Sequence, residues 1–282
     1  MSAPYRTAPP RIPDEEPADT LLSRLRRRAL MVSLIVVTLA LYSALFPVLA
    51  LAAVLLDQLL LRRQRRPRTA LRLLCMGWAY LASEVFGVLW LFLVWLWALP
   101  RSAEGRAGAL ARGAAALQHR WTAALLAGTA ALFRLRFVVE MEPSAAQVLR
   151  GPAVILIRHS SLFDTLLPTT FLSARFGLRL RFVLKRELLA DPCLDIAGHF
   201  LKNHFVRRDG GSSSQEIAQI RALAAGITDK EWGLIYPEGT RFTVAKQRRV
   251  LLRLQERDPA LYAQAQTLQQ VLPPQLGGAL AL

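Results

Sequence analysis

Two long apolar stretches near the N-terminus dominate the hydropathy pattern of the chain. Residues 29–56 include no charged residue, and between Leu73 and Leu99 only Glu84 interrupts the apolar run. Each stretch is long enough to cross the hydrocarbon core of a bilayer as a helix. Pro47 is expected to kink or break the first helix, because proline cannot donate the helical hydrogen bond. We therefore predict two membrane-embedded apolar segments within residues 29–100.

Basic residues flank these stretches and leave the membrane topology open. Residues 24–28 and 62–68 are both rich in arginine. If both segments span, these basic stretches lie on opposite sides, whereas the positive-inside rule places both in the cytoplasm. A segment that dips in and returns at Pro47, or a pair of helices lying partly in one leaflet, resolves the conflict. In every case we expect the rest of the chain on the cytoplasmic side. Glu84 is costly in lipid, so either it faces protein or its segment is not a simple lipid-exposed helix.

The remaining pattern divides the chain into further segments. Residues 1–28 are predicted to form a disordered tail with a basic flank. Residues 101–134 are predicted to form a linking amphipathic helix. From Leu135 the pattern changes to short β-rich runs that alternate with helical ones, which predicts an α/β domain with a largely parallel sheet over residues 135–282. The predicted strands are Leu135–Glu140, Ala153–Ile157, Leu178–Leu184 and Gly233–Tyr236, and the predicted helices are Asp164–Phe176 and Ser213–Ala225, the latter with a capping box at Ser213.

The composition and net charge of the chain indicate which class of molecule it binds. Hydrophobic residues make up 53% of the chain, the mean hydropathy is +0.29, and the net charge is +16. Such a positive excess favours an anionic partner, and the apolar runs favour lipid over nucleic acid. The two cysteines, Cys75 and Cys193, have no metal-binding or redox spacing, and we expect no disulfide framework.

A histidine and an aspartate follow the predicted strand Ala153–Ile157. His159 lies just beyond the strand end, and Asp164 starts the next predicted helix. In that arrangement the carboxylate can fix the imidazole tautomer, so that the free ring nitrogen takes a proton from a hydroxyl. Taken alone, the pair also fits a polar strand terminus followed by a helix N-cap. His199 and His204 have no ligand-like partners and are interpreted as structural or exposed.

A second polar motif, Tyr236–Arg241, follows the last predicted strand. Gly239 permits a tight turn close to a ligand, and Arg241 supplies a planar, permanent cation suited to a phosphate. An ordinary strand-to-loop turn with a solvated arginine is the alternative interpretation.

Together these motifs resemble those of the glycerol-3-phosphate and lysophosphatidate acyltransferase family. His159-x4-Asp164 and Glu238-Gly-Thr-Arg241 have the family's spacing, about eighty residues apart. Residues 185–188 resemble its Lys-x-Glu-Leu element, residues 205–208 its Phe-x-x-Arg element, and residues 271–274 its proline-containing last block. The likeness covers roughly residues 135–278 and implies a glycerolipid-acyltransferase-type α/β domain behind an N-terminal pair of membrane helices.

The resemblance also implies a role for each matching residue. His159 is expected to act as general base and Asp164 to orient and polarise it. The substrate-binding set implied by the motifs consists of Lys185, Arg207, Arg208, Glu238, Gly239, Thr240 and Arg241. Within it, Arg208 and Arg241 are expected to bind the acceptor phosphate, with Arg207 as the neighbouring alternative to Arg208.

The implied function is phospholipid biosynthesis at a membrane. A fatty acyl group is expected to move from acyl-CoA or acyl carrier protein, as co-substrate, to the free hydroxyl of lysophosphatidate. No cofactor, metal or nucleic acid is implied. Another lysophospholipid or lipid alcohol is the alternative acceptor, and a non-catalytic cationic membrane-binding protein is the alternative from a different class. The segment Asp191–His199 is more polar than the family pattern, which we expect to bear on acceptor preference.

Overall fold

The computed structural model describes residues 20–64, 69–142, 153–161, 163–206, 214–228 and 231–282. Long N-terminal helices precede a parallel β-sheet that is flanked by helices. The predicted fold class, an α/β domain behind a pair of apolar helices, is therefore confirmed. The helices are α1 Leu21–Gln64, α2 Thr69–Ala98, α3 Ala103–Phe133, α4 Ala174–Phe176, α5 Pro192–Phe200, α6 Ser214–Ala225, α7 Val244–Arg257, α8 Pro259–Ala265 and α9 Leu276–Ala281.

The sheet is parallel, so the carboxyl ends of its strands lie along the same edge. Its strands are β1 Ala153–Leu156, β2 Arg179–Lys185, β3 His204–Val206 and β4 Glu231–Ile235. They lie in the order β1-β4-β2-β3, and every pairing is parallel. In open parallel sheets ligands bind beyond the carboxyl ends of the strands. The residues that follow β1 and β4 therefore meet at the edge where a site is expected.

Apolar side chains cover both faces of the sheet. On one face Leu180, Trp232 and Leu234 are almost fully buried and pack against the helical segment 163–176. On the other face Val183 and Ile235 pack against α6 and α9. Burial on both faces gives β2 and β4 the nearly continuous apolar sequences typical of parallel sheets, whereas one face of the edge strand β1 stays exposed.

The helix α1 runs without interruption past Pro47. Its 44 residues form one helix, so of the predicted kink or break at Pro47 the break does not occur, and a return of the chain at that point is excluded. Both α1 and α2 have the length and apolar composition needed to cross a membrane, over Leu21–Leu59 and Thr69–Ala98. Much of their apolar surface is uncovered, with Leu51 and Trp97 each at least 60% exposed. Such a surface is typical of contact with lipid or with another protein.

The middle of α2 contacts the α/β domain. Glu84 is fully buried, and its carboxylate accepts a hydrogen bond from Cys193 N at 3.4 Å, at the start of α5. Tyr80 donates its hydroxyl to Asp191 Oδ2 at 2.7 Å, while Asp191 Oδ1 caps α5 through Leu194 N. Glu84 therefore faces protein, the first of the two possibilities raised by its position.

The beginning of α1 is bound to the same helix by charge. Asp195, on α5, is completely buried and accepts hydrogen bonds from Arg27 and Arg28, the closest at 3.0 Å. His199 Nδ1 lies 3.1 Å from Asp195 Oδ1. Burial raises the pKa of Asp195, but the bonds from His199, Arg28 and Arg27 outweigh it and leave the pKa well below its usual value. The polar side chains of Asp191–His199 thus hold the N-terminal helices, which explains the polarity of that segment.

The secondary structure departs from the sequence prediction in several places. Leu135–Glu140 is irregular, so the predicted strand is wrong, and Phe137 packs on Phe171 instead. The helical stretch Asp164–Phe176 is confirmed only in part, because it consists of a 3-10 turn, a π-helix over Pro168–Ser173 and the short α4. The three-residue strand β3 was not predicted. The predicted cap at Ser213 lies outside the described residues.

Candidate active site

The backbone of His159 is fixed by the loop that follows β4. His159 N donates to Glu238 Oε1 at 3.0 Å, and Phe242 N donates to His159 O at 3.0 Å. The strand ends of β1 and β4 are neighbours in the sheet, and Ile157 N still bonds to Ile235 O at 3.1 Å. Parallel pairing therefore brings together two motifs that are about eighty residues apart in the sequence.

Asp164 holds the imidazole and is itself held by main-chain donors. Its Oδ2 lies 3.3 Å from His159 Nδ1 and accepts hydrogen bonds from Ser160 N and Ser161 N, both at 2.5 Å. Ser161 Oγ donates to Oδ1 at 3.0 Å. Burial raises the pKa of Asp164, but these donors and His159 outweigh it and leave the pKa below its usual value. Because an ionised carboxylate only accepts, Nδ1 carries the proton and Nε2 is left to act as a base.

Tyr236 supports both members of the pair. Its ring lies 4.9 Å from the His159 ring, centroid to centroid, and its hydroxyl donates to the Asp164 backbone carbonyl at 2.9 Å. Burial and the Asp164 charge raise the pKa of Tyr236, so it stays a neutral phenol. The sequence reasoning named Tyr236 only as the start of a motif and missed this role. Its position directly after β4, two residues before Glu238, was the signal available.

Glu238 cross-links three segments through its carboxylate. The side chain is buried, Oε1 accepts from His159 N, and Oε2 accepts from Leu272 N at 2.9 Å. Leu272 belongs to the proline-containing block near the C-terminus, which explains why that block lies at the site. With both oxygens occupied by backbone donors, Glu238 serves to hold the loops together.

Gly239 makes the tight turn that this arrangement needs. Its φ is +69°, in the left-handed region, and its N–H donates to Tyr236 O at 2.9 Å. A Cβ at this position would lie 2.9 Å from Gln275 Nε2. Gln275 N in turn donates to Pro237 O at 2.8 Å. A larger residue would therefore be strained and would crowd the C-terminal block.

Lys246 fixes the last part of the motif from the first turn of α7. Its Nζ donates to Thr240 Oγ1 at 2.8 Å and to Arg241 O at 3.1 Å. The Arg241 side chain is exposed at the same edge of the sheet. The sequence reasoning missed Lys246, because nothing in the helical pattern of α7 distinguishes it from its basic neighbours.

The structure describes one of the three remaining predicted cations, Lys185. Lys185 is the last residue of β2, is half-buried and pairs in register with Val206 of β3. Arg207 and Arg208 follow β3 directly in the sequence and lie outside the described residues. The structure thus brings together His159, Asp164 and the segment Glu238–Arg241, and it puts Lys185 at the same edge of the sheet.

An apolar cavity of about 290 Å³ adjoins Asp164. Its other lining residues are Ile157, Arg158, Leu167, Pro168, Phe171 and Leu172. Most of them belong to the irregular segment after Asp164, and π-helical turns of this kind are frequent at functional sites. In the described ranges, no cluster of three or more histidine, cysteine or acidic side chains is arranged to hold a metal ion.

Comparison with known protein families gives a match over the part of the chain that carries the site. Residues 136–269 match the family model described as Acyltransferase. No curated protein and no solved structure matches the chain. The matched range includes every predicted site residue from His159 to Arg241, and it supports acyl transfer to a lipid as the general activity.

Proposed function

Because residues 136–269 form an acyltransferase-family domain, we propose that the protein transfers an acyl group from acyl-CoA or acyl carrier protein to lysophosphatidate. The observation that carries the proposal is the pairing of His159 Nδ1 with the buried Asp164 carboxylate, which leaves Nε2 as a base at the strand ends.

The proposed reaction uses this base, the bound lipid acceptor and the acyl thioester. His159 Nε2 takes the proton of the acceptor hydroxyl while the hydroxyl oxygen attacks the thioester carbonyl carbon. The C–S bond then breaks, the new ester forms, and the imidazolium returns its proton to the thiolate sulfur. Asp164 stabilises the imidazolium throughout and does not itself become protonated.

The charges around the pair support a phosphate-bearing acceptor. Arg241 is exposed beside the site, Lys185 ends the neighbouring strand, and Arg207 and Arg208 follow β3 in the sequence. A guanidinium is permanently charged and binds phosphate oxygens in a bidentate manner. The apolar cavity next to Asp164 offers a place for an acyl chain. Lysophosphatidate combines the phosphate, the free hydroxyl and the acyl chain that these features suit.

The ion pair at the start of α1 supports a cytoplasmic location for the domain. Arg27 and Arg28 bind Asp195, so the N-terminal basic flank and the α/β domain lie on the same side of the bilayer. The positive-inside rule places such a flank in the cytoplasm. We therefore propose that the site faces the cytoplasmic leaflet.

The deciding assay uses the purified full-length protein with labelled acyl-CoA or acyl carrier protein and lysophosphatidate in mixed micelles. We expect His159→Ala to reduce kcat by roughly 10²–10⁴-fold, the usual contribution of a general base. His119→Gln is the matched control, since His119 bonds Ser173 away from the pair and glutamine can keep that contact. Equal turnover of wild type and His159→Ala would exclude the mechanism, and membrane binding without turnover of any thioester would support a non-catalytic protein.

A panel of acceptors tests the identity of the substrate. We expect Arg241→Ala to raise KM strongly for lysophosphatidate and other phosphate-bearing acceptors, but not for a phosphate-free monoacylglycerol. The reason is that the guanidinium interacts with the phosphate and not with the reacting hydroxyl. A KM that rises equally for both kinds of acceptor would contradict the assignment.

A further inference from the structure

The outer surface of α7 carries a concentration of arginines that the proposed reaction does not use. Val244–Arg257 contains five cations and one acid, Glu256. Four of its arginines are exposed, and so is the leucine among them, which is 63% accessible. We call this surface the arginine face, and it consists of Arg248, Arg249, Leu252, Arg253 and Arg257. The inward residues of α7 are half-buried.

Three of these arginines repel one another. Arg249, Arg253 and Arg257 follow at intervals of four residues, so their side chains are neighbours on one side of the helix. Within the part of the chain that the structure describes, none of them forms an ion pair with a carboxylate. Like charges at this spacing destabilise a helix. An anionic partner would relieve the repulsion.

The arginine face begins next to the candidate active site. Thr243 caps α7 two residues after Arg241, and Phe242 N bonds to His159 O. Lys246 bonds to the motif loop, and Gln247 Nε2 donates to Leu268 O at 2.5 Å. These contacts secure the inward side of α7 and hold its first turn next to the edge of the sheet where His159 lies.

We propose that the arginine face binds the anionic headgroup surface of the membrane beside the active site. The exposed apolar surfaces of α1 and α2 bring the protein to a bilayer. A helix with a cationic face and an exposed leucine between the charges suits the boundary of headgroups and acyl chains. The cytoplasmic leaflet carries the negative charge that complements it. The inference requires membrane attachment and does not depend on the acceptor proposed above.

A fluorescent reporter on α7 tests the contact without measuring acyl transfer. Gln255→Cys, in a Cys75→Ala background, would carry an environment-sensitive fluorophore on the exposed side of the helix. The full-length protein would be reconstituted in phosphatidylcholine vesicles with and without phosphatidylglycerol. We expect blue-shifted emission only with phosphatidylglycerol, and we expect about 1 M salt to reverse it by screening the charges.

The triple change Arg249→Gln, Arg253→Gln and Arg257→Gln isolates the contribution of the face. Because each surface arginine strengthens binding to anionic lipid by about fivefold, we expect roughly 100-fold weaker contact and loss of the shift. Arg136→Gln, Arg175→Gln and Arg221→Gln remove the same charge from other exposed positions and serve as the matched control.

Any of three results with the vesicles would overturn the proposal. They are equal emission in both kinds of vesicle, an unchanged shift in the arginine variant, and an equal loss in the control variant. A shift that appears only on addition of acidic acyl carrier protein would also overturn it, because the face would then bind a protein. Since fluorescence requires no turnover, absence of acyltransferase activity would count against the proposed reaction and not against this contact.

Discussion

Asp164 determines which nitrogen of His159 is available for chemistry. Its carboxylate is buried and surrounded by N–H and O–H donors, which keep it ionised and fix its orientation. The direct bond to His159 Nδ1 is longer, at 3.3 Å. The strongest supports of the pair are therefore the backbone N–H groups of the short turn between the two residues.

Asp164→Asn should separate orientation from charge. The amide keeps the shape and can still accept from the serine backbone, but it no longer stabilises the imidazolium or enforces the proton on Nδ1. We expect kcat to fall by roughly 10²–10⁴-fold with little change in KM, as measured by steady-state kinetics with lysophosphatidate. Ser160→Ala, which leaves the backbone donor in place, is the control. A large rise in KM with unchanged kcat would argue against the assigned role.

At the scale of single residues, the sequence predicts contacts between residues close together in the chain but not contacts between distant segments. The interval His159-x4-Asp164 predicts the pair because both residues lie in one turn after β1. The bonds of Tyr236 to Asp164 and of Glu238 to Leu272 join segments far apart in the chain. Such contacts depend on how β1 and β4 are paired, and the order of strands cannot be read from local patterns.

At the scale of elements, α7 and the loop after β4 form one unit. Lys246 bridges the Thr240 hydroxyl and the Arg241 carbonyl, so the first turn of the helix determines where the loop ends. The direction of Arg241 is therefore coupled to the position of α7. This coupling makes Lys246 a positioning residue for the proposed phosphate site.

Lys246→Met should weaken this coupling while keeping the length of the side chain. We expect KM for lysophosphatidate to rise several-fold with a smaller change in kcat, since the loop would sample more positions while the His159 pair stays intact. Arg221→Met, on α6 and exposed, removes the same charge without breaking a loop contact. Equal KM values for the two variants would show that only the net charge matters.

The apolar strands were the easiest elements to predict. β1, β2 and β4 lie within a residue or two of their predicted bounds, because each has an apolar run, which is buried on both faces in β2 and β4 and on one face in β1. Leu135–Glu140 has the alternation of a strand but no strand partner among the described residues. β3 is too short to give a pattern. Hydropathy reports burial, whereas strand formation also needs a neighbouring strand to pair with.

At the scale of the whole molecule, the N-terminal helices and the α/β domain share a core. Leu91, Leu117 and Ala197 come from α2, α3 and α5 and are buried in one cluster. The ion pairs of Asp195 with Arg27 and Arg28 extend this contact to α1. The N-terminal helices and the α/β domain are therefore joined by buried apolar and charged contacts.

Asp195→Asn tests the contribution of this connection. Removing one partner of a buried ion pair leaves uncompensated charge and costs about 3 kcal/mol or more. We expect a loss of this size at neutral pH, measured by denaturant unfolding in detergent with tryptophan fluorescence.

The difference in the free energy of unfolding between the wild type and Asp195→Asn should depend on pH through the pKa of Asp195. That pKa is lowered in the folded protein, so the stabilisation is fully present above the usual value of 3.8. The stabilisation is lost as the pH falls through the lower pKa of the folded protein. At that pH the wild type and Asp195→Asn should have similar free energies of unfolding. Asp258→Asn, at an exposed cap, is the control. A difference that stays constant down to strong acid would contradict the assignment.

The contacts of α5 with α1 and α2 limit how the protein can be divided into fragments. Expression of a soluble catalytic fragment starting near residue 135 would discard the partners of Asp191 and Asp195 and the cover of Leu201. The fragment would expose the apolar surface that the N-terminal helices cover, and Asp195 would lose its arginine partners. A fragment with such an exposed surface is expected to aggregate. Biochemical work on this protein is better served by solubilising the whole chain than by trimming it.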